Sequence, residues 1–139
     1  MDFSKDAAAA AKELYGLARE AGKNAYTPFS NFKVGAALLT ASGKIYTGVN
    51  VENSSFGATI CAERTAFVKA VSEGERKFTA IAVSSEPEEA IPCGICRQFM
   101  YELAPNLKVI TGKNEDALNI RTLDELLPVG FRLEPQAGE

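Results

Sequence analysis

A chain of 139 residues, 46% apolar and 24% charged, is long enough to bury a core of its own and reads as a single domain, 1–139. Its formal charge of −3, without any Lys/Arg cluster, argues against a surface that tracks nucleic acid. No apolar run approaches a membrane span or a signal-peptide core, so a cytoplasmic setting with no membrane partner is the default expectation.

Ser4 to Asn24 is expected to be a helix, because Leu14, Leu17, Ala18 and Ala21 recur at three- and four-residue spacings and Gly22 stands near the end. The turn-rich segment Tyr26 to Asn31 precedes an apolar run, Phe32 to Thr40, that reads as a strand. Ala41-Ser42-Gly43-Lys44 is a hairpin turn, with Ile45 to Val51 as the antiparallel return. Glu52 to Thr59 is polar loop, Cys61 to Ser72 a largely apolar helix ending near Gly74, and Thr79 to Ser84 a short buried strand. An acidic loop, Glu86 to Pro92, leads to a helix from Gly94 to Leu103 and a strand from Leu107 to Thr111. A weaker strand, Leu118 to Arg121, and helical turns from Leu123 to Leu127, stopped by Pro128, complete the pattern. A hairpin followed by alternating strands and helices implies an α/β fold, one mixed sheet of about five strands with helices on its faces.

The chain holds three cysteines and no histidine. In a reducing cytosol cysteines are not disulfide material. A structural zinc site takes four protein ligands, usually Cys and His, which this chain cannot supply alone. If its three cysteines share one ion, the fourth position falls to a carboxylate, a partner chain or water, and water is the arrangement of a catalytic zinc.

Cys61 opens C-A-E-R (Cys61–Arg64), while Cys93 and Cys96 lie in P-C-G-I-C-R-Q (Pro92–Gln98). Each motif falls where a loop enters a helix, and free N–H groups and the helix dipole favour thiolates there. Glu63, two residues after Cys61 on the first turn of the same helix, is placed to serve water at an open metal position. A Glu in a dry pocket would have its pKa raised toward working pH. Three thiolates on Zn²⁺ leave a net −1 that blunts its power to acidify water. Arg64, and less directly Arg97, are the donors expected to offset it at the sulfurs. The rival readings are a C-x-x-C redox pair, which leaves Cys61 and Glu63 idle, and three inert core cysteines, at odds with Arg64, Arg97 and Gln98 nearby. A structural zinc completed from outside the three thiols is the third.

These motifs, with Y-T-P-F-S-N-F-K-V-G-A-A-L-L (Tyr26–Leu39), G-V-N-V-E-N-S-S-F (Gly48–Phe56) and L-L-P-V-G-F (Leu126–Phe131), resemble the cytidine deaminases whose zinc is held by three cysteines. The resemblance implies a three-layer α/β/α sandwich and a homotetramer. It also implies one Zn²⁺ per chain on Cys61, Cys93 and Cys96, with Glu63 as proton shuttle. The reaction implied is hydrolytic deamination of cytidine and 2′-deoxycytidine to the uridines, a step of pyrimidine salvage. Phe32, Asn50 and Glu52 match positions that hold the nucleoside, and Asn50 and Glu52, two residues apart, face one side as a diol requires. Ala62 matches a position facing the base, and Phe131 an aromatic that reaches a neighbouring subunit's site. Taken alone, Phe32 also suits core packing, Asn50 a turn cap, Glu52 a solvated carboxylate, and Phe131 a packed C-terminal turn. Phe56 replaces a frequent Tyr and Ile91 a frequent Ser. A deaminase of a cytosine-nucleoside antibiotic such as blasticidin S is the nearest alternative, and Glu52 favours a plain ribose over it.

Overall fold

The computed structural model describes residues 1–86 and 88–135. Asp6 starts the first helix, its Oδ1 accepting from the Ala9 N–H at 3.1 Å, and α1 runs Ala7–Gly22. The hairpin follows as β1 (Val34–Thr40) and β2 (Ile45–Val49), turned at Gly43 with φ 92°. A 3₁₀ turn at Phe56–Ala58 leads to α2 (Ala62–Ser72), β3 (Phe78–Ser85) and α3 (Gly94–Leu103). Then come β4 (Lys108–Gly112), β5 (Leu118–Thr122) and a single turn, α4 (Leu123–Leu126), fixed by a capping box between Thr122 and Glu125.

The strands form one sheet in the order β2-β1-β3-β4-β5, parallel only between β3 and β4. Alternation along each strand divides the core in two. Ala37, Leu39, Ala80, Ala82 and Ile110 face Ala11, Leu14, Tyr15 and Ala18 of α1. Ala36, Leu38, Ile81 and Val109 face Ala66, Phe67, Cys96 and Met100 of α2 and α3. Both faces are covered, which is why β1 and β3 read as continuous apolar runs rather than alternating ones. This is the three-layer α/β/α sandwich with five strands that the sequence leads one to expect.

The ends of two elements differ from expectation, for one shared reason. β1 begins at Val34 rather than Phe32, and β2 ends at Val49 rather than Val51. There the ladder partner is a side chain: Asn50 Oδ1 accepts from the Val34 N–H at 2.9 Å and its Nδ2 donates to the Phe32 carbonyl at 2.8 Å. Asn31, just before, is in the left-handed region at φ 56°. Val51 bridges Tyr26 and Ile60 instead of β1. Phe32 and Asn50 are thereby released from the sheet edge. The first helix also starts later than the expected Ser4, because Asp6 caps it.

Gly48 sets the height of α2 over the sheet. A Cβ there would lie 2.4 Å from the Ala62 carbonyl oxygen and 2.5 Å from the Ala66 nitrogen, both backbone. The first turn of α2, which carries Cys61, Ala62 and Glu63, rests directly on the β2 backbone. We expect Gly48→Ala to lift that turn, lower stability by about 1–3 kcal/mol, and weaken metal retention. Gly16→Ala, in helix α1 with nothing near its added Cβ, should instead stabilise by roughly 0.5–1 kcal/mol. Thermal melts with metal content on the same samples check both.

Candidate active site

Cys61 and Cys93 occupy equivalent places, each the capping residue of a helix with extended backbone (φ −78°, ψ 157° and φ −70°, ψ 170°). Neither side chain caps its own helix, so both sulfurs are free to point outward. Cys96 stands one turn further along α3, on the same face as Cys93. The three sulfurs lie within 4.8 Å of one another, with Cys61 and Cys93 4.0 Å apart, and none is in a disulfide. Two helix N-termini converge on them.

The charge balance shows what such a cluster lacks by itself. The neighbouring Cys96 thiol, and after it Arg64, hold Cys61 down to about 5, in the thiolate form. Cys96 moves the opposite way, raised by Cys61 beside it and by burial. Two adjacent thiols cannot both ionise without a cation between them. Arg64 supplies one positive charge from the side: its Nη2 donates to Cys61 Sγ and to the Thr59 carbonyl, each at 3.4 Å. Its buried Nε has no acceptor among the described residues. Three thiolate donors, two helix dipoles and an arginine with a donor to spare fit a single zinc ion well.

Glu63 is buried at 4% exposure, and burial, ahead of the nearby Cys61 charge, raises its carboxyl to about 7. It borders a pocket of about 380 Å³ together with Cys61, Ala62 and Cys93. Phe32, Val34 and Asn50 form one wall; Val83, Glu89, Ala90 and Ile91 form the other. The pocket opens beyond the C-terminal end of β3, where open α/β sheets bind their ligands. Phe32 is 36% exposed, so it is a wall residue and not part of the core.

Glu52, Phe131 and Arg97 stand elsewhere. The Glu52 carboxylate is taken by the 29–30 turn, accepting from the Phe29 N–H at 2.9 Å, the Ser30 N–H at 3.1 Å and the Ser30 hydroxyl. The Ser30 hydroxyl, chiefly, holds it below its usual carboxylate range. It is not among the residues that border the pocket. Phe131 is 66% exposed on a C-terminal segment, its carbonyl accepting from Gln98 Nε2 at 3.2 Å. The expectation for Arg97 needs correcting. Its Nε donates to the Pro92 carbonyl at 2.8 Å and its Nη1 to the Leu126 carbonyl at 2.7 Å. Two carbonyls capture the guanidinium, so it fastens the segment before Cys93 to the end of α4 rather than reaching a sulfur.

Some wall residues had no signal in the sequence. Val83 and Ala90 are apolar residues of ordinary appearance, Ile91 is marked only by standing where the resemblance has a frequent Ser, and Glu89 reads as one more charge in an acidic loop. Only the pairing of Glu89 with Thr111 and Asn119 across the sheet edge marks it.

Comparison with known proteins agrees with this geometry. Residues 9–113 match the family model described as the cytidine and deoxycytidylate deaminase zinc-binding region. The chain is 48% identical to a probable cytidine deaminase of Dictyostelium discoideum, over 84% of this chain and 80% of that protein. It is also 48% identical to a cytidine deaminase of Halalkalibacterium halodurans, over 83% of this chain and 89% of that protein. The crystal structure of cytidine deaminase from Burkholderia pseudomallei superposes with a TM-score of 0.82 at 46% identity, covering 86% of this chain and 97% of that one. With the three-thiol site placed where that family model has its zinc-binding region, the chain is a zinc-dependent deaminase and belongs to the cytidine and deoxycytidylate deaminase family.

Proposed function

We propose that the protein hydrolyses cytidine and 2′-deoxycytidine to uridine and 2′-deoxyuridine with release of ammonia, as a step of pyrimidine salvage in the cytoplasm. The observation that carries this reading is a buried carboxyl poised near 7 beside three converging thiols, on the floor of a pocket walled by Phe32 and Asn50. Zinc held by Cys61, Cys93 and Cys96 supplies the Lewis acidity that makes water a nucleophile at neutral pH. Among the residues bordering the pocket, Glu63 performs the proton transfers. It takes a proton from the attacking water and delivers it to N3 of the pyrimidine as oxygen bonds to C4. It then carries the remaining hydroxyl proton to the 4-amino group, and the C4–N bond breaks to release ammonia. Protons balance, since N3 keeps the first and ammonia leaves with the second. A carboxyl near 7 is half-ionised at neutral pH, so both directions of transfer are open to it.

Phe32 packs against the base, and Ala62, fully buried, leaves room for its polar edge beside the α2 backbone. Asn50 faces the ribose. Glu52 supplies the second ribose acceptor from the adjacent turn, where its three donors leave one lone pair of Oε2 free. Arg64 offsets the negative charge of three thiolates.

We further read the assembly as a homotetramer in which Phe131 reaches a neighbouring subunit's site. Exposed Phe56 (78%), Ile95 (67%) and Phe131 (66%), and an apolar groove of about 460 Å³ between α2 and α3, support association. No described helix is long and apolar enough to cross a membrane, and free thiols suit a reducing compartment.

Two substitutions test the chemistry. Glu63→Gln should keep one zinc per chain and lower kcat for cytidine by roughly 10²–10⁴-fold; near-normal turnover would overturn the role of Glu63. Arg64→Gln should lower zinc affinity or activity by roughly 10–100-fold, measured by competition with a chromophoric chelator and by loss of cytidine absorbance.

A further inference from the structure

Glu89 lies outside the motifs that mark the family, yet it borders the pocket beside Ala90 and Ile91. Its Oε2 accepts from Thr111 Oγ1 at 2.6 Å and from Asn119 Nδ2 at 3.1 Å. Arg121 Nη1 lies 3.6 Å from the same oxygen and donates to Thr111 Oγ1 at 3.1 Å, which closes a ring of polar groups. Thr111 and Asn119 are direct partners in the β4–β5 ladder, with Arg121 two residues further along β5. The Thr111 side chain is buried at 1% exposure, so its hydroxyl needs this partner.

The ring ties a loop from β3 to the far edge of the sheet. Residues 88–92 lead into Cys93, and Glu89, Ala90 and Ile91 among them border the pocket. The Ser85 hydroxyl holds the Glu88 carbonyl at one end, and Arg97 Nε holds the Pro92 carbonyl at the other, at 2.8 Å. Between those two fastenings Glu89 is the only side chain of the wall bonded to β4 and β5 among the described residues. All three of these contacts fall on one oxygen, Oε2, and come from β4 and β5.

We propose that Glu89 is a positioning residue for the nucleoside pocket: clamped by Thr111, Asn119 and Arg121, it sets the wall formed by Ala90 and Ile91, and so governs how substrate fits rather than how protons move. This rests on the cytidine reading above. Because Glu63, Arg64 and the three cysteines lie on other segments or beyond the Arg97 fastening, the wall can shift without disturbing them.

The test is steady-state kinetics of the zinc-loaded enzyme with cytidine, for wild type, Glu89→Gln, Asn119→Ala and the double variant. Asn119 is exposed, so its truncation leaves folding intact and keeps the test sound if Glu89→Gln is poorly stable. The expected result is KM raised by roughly tenfold in Glu89→Gln and by less in Asn119→Ala. We expect kcat and zinc content near wild type, and non-additive effects in the double variant, since Asn119→Ala removes a donor to the same oxygen whose charge Glu89→Gln removes. Unchanged KM in both single variants, a fall in kcat at constant KM, or additive effects in the double variant overturns the proposal. Zinc-loaded wild type that does not turn over cytidine overturns the cytidine reading and this proposal with it, whereas active wild type with unaltered variants overturns the proposal alone.

Discussion

Three thiol groups crowded within 4.8 Å, at the starts of two helices, are a configuration that a folded chain does not hold without compensation. Each thiolate repels the next, and burial disfavours a charge on Cys96, the buried one of the three. The fold answers with two converging helix dipoles and Arg64, and Cys61 is lowered, by the Cys96 thiol and then by Arg64, while Cys96 beside it is raised. A divalent cation completes the balance. The nearby Glu63 depends on the same circumstance, because the dryness that crowds the thiols also raises its carboxyl to about 7. Metal binding and proton transfer are thus two consequences of one buried, electrostatically loaded spot.

The rest of the structure serves to bring the two helix starts together. α2 descends onto β2 because Gly48 removes the side chain that would hold it off. α3 arrives by the crossover between the parallel pair β3 and β4, and its entry is fastened by Arg97 at the Pro92 and Leu126 carbonyls. Asn50 ends the β1–β2 ladder with its own side chain and so opens the sheet edge into a pocket wall. Phe32, just before β1, and Glu89 to Ile91 of the acidic loop become opposite walls because each segment is tied to a different strand pair.

The parts legible in the sequence are those governed by local rules. Apolar patterning and turn signals located the four α-helices and five strands, though not the 3₁₀ turn at Phe56–Ala58, and the covered sheet followed from the order of the elements. The thiol inventory, with no histidine, announced an open metal site. Arg64 was legible because its neighbour in sequence is also its neighbour in space. Arg97 was not: it sits next to Cys96 in the chain, but two carbonyls, one from α4, take its guanidinium. Glu52 shows the same limit, since the two N–H groups that claim its carboxylate belong to a turn more than twenty residues earlier. Glu89 is legible only through β4 and β5, whose side chains meet it across the sheet edge. Side chains bound by distant backbone or by other strands escape a reading that proceeds along the chain.

The chemistry depends above all on the composition of the metal's surroundings. X-ray absorption at the zinc edge on the purified protein measures it directly. Three sulfurs at about 2.3 Å and one oxygen at about 2.0 Å are the expected result, because three thiolates leave one position for water. Four sulfurs, or zinc bound through fewer than three, would contradict the open three-thiolate site on which the chemistry depends.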